Sequence, residues 1–189
     1  MFNYTAYRTY FENIALSHNA INHTSYKTGE RGFYWFEHEN LLASMKDSIT
    51  QPSNTNKNPV ALFLFAYESP YLDTNNGNLM RSIDASYMLL APVEDVNGEI
   101  EICAVMTKCE EIMHQINLRI IRDANIGHPL FAKVDIDLSD FNIIPILRYH
   151  SNYYGVQCLM KFNSSNVTKC VDGSLWEDLP DNKLSTTHL

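Results

Sequence analysis

Cys103, Cys109, Cys158 and Cys170 are the residues of this chain with the greatest intrinsic reactivity. They form no C-x-x-C pair, and the Cys103–Cys109 spacing puts the two sulfurs on different sides of a helix. A metal site needs converging ligands, so these thiols are expected to be buried and free in a reducing compartment. Cys109 also has Glu110 and His114 nearby. A Cys–His nucleophile needs an exposed sulfur and a base oriented by a third group. Cys109 falls on an apolar stripe and is expected to be inert, with Glu110 and His114 an i, i+4 pair on its flank. His18 and His23 are five apart, off one helical face, and no carboxylate completes a set. Glu37-His38-Glu39 reads as a surface cluster. Asp135, Asp137 and Asp140 follow D-x-D-x-x-D, a spacing that suits a divalent cation. The calcium loop also needs a glycine at its sharp turn and a distal glutamate, and both are missing. A polar loop or strand face is the expected role. No dinucleotide, phosphate-loop, nucleophile-elbow or zinc-helix motif occurs. No catalytic, cofactor-binding or metal-ligating residue is therefore assigned, and no cofactor.

The elements that must position these groups can be read from periodicity. Tyr4, Tyr7, Phe11 and Ile14 recur at helical spacing, Ile21 continues the stripe after His18, and Asn22 to Gly29 end it. Gly32 to Phe36 is an aromatic strand. Leu41, Leu42, Met45 and Ile49 fit a short helix capped by Asn40. Thr50–Asn58 and Ser69–Asn78 read as polar loops. Between them Val60–Ala66 is a buried strand. Ile83, Ala85, Tyr87 and Leu89 alternate with Ser82, Asp84, Ser86 and Met88, a strand with one buried face that ends before Pro92. A long helix follows, capped by Asn97, with Glu99 and Glu101 at its positive end. Its stripe is Ile102, Met106, Cys109, Met113, Ile116 and Ile120. Arg119 and Arg122 lie in the last turn, and Asn125 or Gly127 followed by Pro129 stops it. At about 26 residues it spans ~39 Å, long enough to lie across a sheet as a spine. Leu130–Val134 is a short strand. Phe141–Tyr149 is an edge or bulged strand because of Pro145. Asn152–Gly155 is a turn, and Val156–Phe162 completes an antiparallel hairpin. The order contains no repeated βαβ unit. It predicts an α+β fold: an antiparallel or mixed sheet packed on one long amphipathic helix, with an additional N-terminal helix. Residues 1–175 are expected to form one domain and 176–189 a flexible tail.

Composition narrows the function classes. The chain has 189 residues, 45% of them hydrophobic, which suits one domain with a substantial core. Charged residues are few at 19%, and aromatics plentiful at 12%. A surface poor in charge and rich in Tyr and Asn is compatible with large protein contacts. The net charge of −8 repels phosphate, so sequence-specific nucleic-acid binding and anionic membranes are disfavoured. The N-terminus lacks the basic and apolar regions of a signal peptide, and no apolar window of ~18 residues spans a bilayer. A cytoplasmic protein is expected, and the sequons at Asn3, Asn22, Asn163 and Asn166 carry no weight.

A family pattern emerges from the element order. VALFLFAYE, a polar loop and an alternating strand precede the helix with its I-x-x-x-M-x-x-C-x-x-x-M-x-x-I-x-x-x-I stripe. FNIIPILRYHSNYYGVQCLMKF and Cys170 come last. Over roughly residues 59–172 this resembles the small structural proteins of tailed phages and prophages that terminate or complete the tail. The flavour is that of phages infecting Bacteroidetes, carried by Asn152, Gly155, Val156 and Phe162 of the final hairpin. The resemblance implies a ring-forming virion subunit, commonly a hexamer, stacked on tail-tube or connector rings at the tail end or head–tail junction. It implies assembly in the host cytoplasm, no cofactor and no catalysis. A ring subunit needs two unlike faces that close by rotation. An acidic lumen would let DNA pass without sticking.

Two other classes stay open at this level. One is another phage or contractile-injection subunit, such as a tail tube, baseplate or connector. The other is a cytosolic enzyme or small-ligand binder with a pocket gathering Asp135, Asp137, His114 or His150.

Overall fold

The computed structural model describes residues 2–21, 23, 32–36, 60–73, 79–132, 134–149 and 152–164. The elements in chain order are α1 (Tyr4–Ser17), β1 (Phe33–Phe36), β2 (Ala61–Phe65), β3 (Tyr71–Asp73), β4 (Leu79–Pro92), α2 (Glu99–Asn125), β5 (Val134–Asp135), β6 (Phe141–Tyr149) and β7 (Tyr153–Ser164). The fold is α+β, as the pattern of periods predicts. The expected helix at Leu41–Ile49 with its Asn40 cap, the loop Thr50–Asn58 and the tail 176–189 lie outside the described residues.

β4 and β7 form the centre of the sheet, paired antiparallel from Arg81↔Ser164 to Pro92↔Tyr153. β2 and β3 follow each other along the far edge of β4, with a bridge between Glu68 and Asp84 where they meet. β6 and β5 share the far edge of β7 in the same way. β1 adds outside β2 and, among the described strands, is the one parallel neighbour, which makes the sheet mixed.

Both helices pack on one face. Ile83, Ala85, Tyr87 and Leu89 of β4 and Val156, Cys158, Met160 and Phe162 of β7 point into that core. On α1, Asn3 caps the helix by accepting the Ala6 N–H at 2.8 Å, and Tyr7, Tyr10, Phe11, Ile14 and Ala15 are buried. Tyr4 is more than half exposed; its ring stacks on Tyr67 at 4.3 Å and its hydroxyl donates to the Tyr67 carbonyl at 2.9 Å. Ile21 is buried in a turn beyond the helix end.

α2 lies across β4 and β7, burying Val105, Cys109, Ile112, Met113, Ile116 and Ile120. Two details differ from expectation, the N-cap and the continuity of the apolar face, while Glu99 and Glu101 do lie in the first turn. Gly98, not Asn97, is the N-cap, because the Asp95 side chain holds the Asn97 N–H at 2.9 Å in the preceding turn. Glu101 reaches back to accept the N–H groups of Glu94 at 2.9 Å and Asp95 at 3.0 Å. The apolar face is also interrupted, since Asn117 and Asp123 are buried within it and Ile102 and Met106 are only partly covered. At the other end Gly127 takes φ 80, the left-handed conformation that ends helices.

Other expected boundaries shift. Of the expected strand Leu130–Val134, Leu130 and Phe131 lie in a 3-10 turn and only Val134 is in a strand, β5. Pro129 opens a 3-10 turn over Pro129–Phe131, which His128 caps by accepting the Leu130 N–H at 3.2 Å. The expected loop Ser69–Asn78 contains strand β3, paired with the start of β4. Tyr153–Gly155 belongs to β7 rather than to a turn. A Cβ on Gly155 would stand 1.9 Å from the Leu89 carbonyl oxygen, so this glycine serves a close approach of two strands. Pro92 is the last residue of β4, not a residue beyond it.

The second face of the sheet was expected to be polar along β4. Instead Phe36, Phe63, Met88 and Leu90 form a second buried cluster there, with Tyr34, Phe65, Ile146, Tyr149 and Tyr153 packed against it. Tyr34 stacks on Phe63 at 4.9 Å. Towards its end β4 is apolar on both sides, with Met88 and Leu90 buried opposite the helices, while Asp84 and Ser86 keep the polar phase.

Candidate functional site

The residues with chemical potential are dispersed. Cys109 is buried on α2, and burial pushes its thiol up to about 12. Cys158 is buried on β7 and pushed up to about 11 for the same reason, offset in part by hydrogen bonds from Asn117 and Tyr87. Neither supplies a thiolate near neutral pH. Cys103 is exposed, and Cys170 lies outside the described residues. Glu110 and His114 stand exposed on α2.

His18 and His23 act as separate ties. His18 Nε2 is 3.1 Å from Gln115 Oε1, joining α1 to α2. His23 is buried; its Nδ1 accepts the Gly32 N–H at 3.3 Å and its Nε2 stands 3.8 Å from Glu12. Glu37-His38-Glu39 and His150 lie outside the described residues.

The D-x-D-x-x-D spacing has a local explanation. Asp137 caps the 3-10 turn Leu138–Asp140, accepting the Ser139 N–H at 2.6 Å, and Asp140 returns by accepting the Asp137 N–H at 2.9 Å. Hydrogen bonds from the Ser139 hydroxyl and backbone hold the Asp137 carboxyl below its usual value. Asp135 sits on β5 opposite Asn163. Among the described residues, no three His, Cys, Asp or Glu side chains are placed to share a metal ion.

Two buried polar groups escape sequence reading. Tyr87 donates to Asn117 Oδ1 at 2.7 Å, and Asn117 Nδ2 lies 3.6 Å from Cys158 Sγ, which ties α2 to both central strands. Tyr10 donates to Asp123 Oδ2 at 2.9 Å, and Arg119 Nε meets the same oxygen at 2.7 Å. Burial and the Asp123 carboxylate both push the Tyr10 phenol upward. These bonds join α1, α2 and the sheet, and they are structural.

The principal hollow lies on the face opposite the helices, a recess of about 790 Å³. Strand register builds its floor. With Ala85, Tyr87 and Leu89 turned to the helices, Asp84, Ser86 and Met88 face the hollow. Across β7 they stand beside Lys161, Leu159 and Gln157, and Asn142 of β6 extends the row past Leu159. Phe36 and Phe65 wall one side, and Tyr149 and Asp140 also line it. Among the described residues its charged members are Glu68, Asp84, Asp140 and Lys161, set beside apolar surface. Asp84 accepts from the Ser82 hydroxyl at 3.0 Å and stands 3.9 Å from the Lys161 ammonium. The signal for this site was the polar phase of β4, read above as a solvent face.

Beside the hollow, β6 is an edge strand among the described residues and carries a bulge. Its ladder to β7 shifts register between Ile146 and Tyr149. Arg148 there takes φ 60, a left-handed conformation rare for a side chain of its bulk. Leu147 is 72% exposed. Pro145 tolerates this position because it is on the edge, as its type predicts.

Fold and site together define an α+β protein with one helix-covered sheet face and one recessed face. Among the described residues no helix is long and apolar enough to cross a membrane. Comparison with protein-family models, with curated proteins and with solved structures finds no match.

Proposed function

We propose that this chain is a non-enzymatic structural subunit of a phage tail, of the terminator or completion type. In this reading it closes into a homo-oligomeric ring, a hexamer by preference, at the tail end or head–tail junction. Its neighbours there are tail-tube or connector proteins.

One observation carries the reading: the sheet bears two unlike surfaces. One is the aromatic-walled hollow, and the other is the bulged edge of β6 with its exposed Leu147. A heterologous contact, the kind that closes rings, requires such a difference between faces. The buried thiols and the capped carboxylates fit a part that works through its surfaces. The net charge of −8 suits a ring through which DNA slides, since like charge prevents tight binding.

Negative-stain electron microscopy of the purified chain tests the proposal. Closed rings of uniform diameter are expected. Isolated particles of single-subunit size at every concentration would count against it.

A further inference from the structure

We draw no further inference here: the strongest candidate, the hollow on the sheet face opposite the helices, belongs to the site already described, and nothing in the structure shows what covers it.

Discussion

At Cys109 the sulfur is enclosed by the core and its thiol is pushed up to about 12, while Cys103 one and a half turns earlier is exposed. Reactivity should divide accordingly. In a C170S variant at pH 8, a thiol reagent is expected to label Cys103 in the native protein. Cys109 and Cys158 should react only after unfolding, and a native count above one thiol per chain would contradict their burial. The Tyr87–Asn117–Cys158 cluster makes a second prediction. N117L leaves the buried Tyr87 hydroxyl only its longer bond to the Met113 carbonyl at 3.4 Å, at a cost of about 1–3 kcal/mol. The double variant Y87F/N117L removes both partners and should recover part of that loss in urea denaturation. Additive losses would show that the two groups do not act together. Little at this scale was legible in the sequence beyond the placement of Cys109. Asn117 and Asp123 lie on a helix whose stripe reads as apolar, and their partners Tyr87, Cys158 and Tyr10 are far away in the chain. Only the fold brings them together.

Among the elements, those with a sustained period were legible and those set by pairing were not. α1 and α2 announce themselves through three-and-four spacing, and the β6–β7 hairpin through alternation flanking a turn. β3 is a three-residue strand of mixed polarity, visible only once β4 is there to pair with it. Leu130–Val134 has strand composition, yet Pro129 and the His128 cap close a 3-10 turn at its start. The hollow was hidden for a related reason. Its floor is the polar phase of β4 beside the alternate residues of β7, and their meeting depends on register. Gly155 pins that register. G155A drives a methyl group into the Leu89 carbonyl, a clash only strand movement can relieve. Overpacking of this kind costs about 1–3 kcal/mol or more. The expected result is a clear fall in the urea midpoint, and an unchanged midpoint would mean the two strands approach less closely than described.

For the whole molecule, the distribution of surfaces matters more than any single group. Among the described residues two helices cover one sheet face, the other is recessed, and the bulged strand β6 stands beside it. The α+β class could be read from the order of periods, whereas the unlike surfaces on which the proposed ring depends could not. The central claim is that these surfaces join copies of the chain, and solution mass by light scattering across concentration tests it most directly. The account predicts a discrete species that persists on dilution, near six times 21.7 kDa, about 130 kDa, for a hexamer. A single species of 21.7 kDa at every concentration would contradict it.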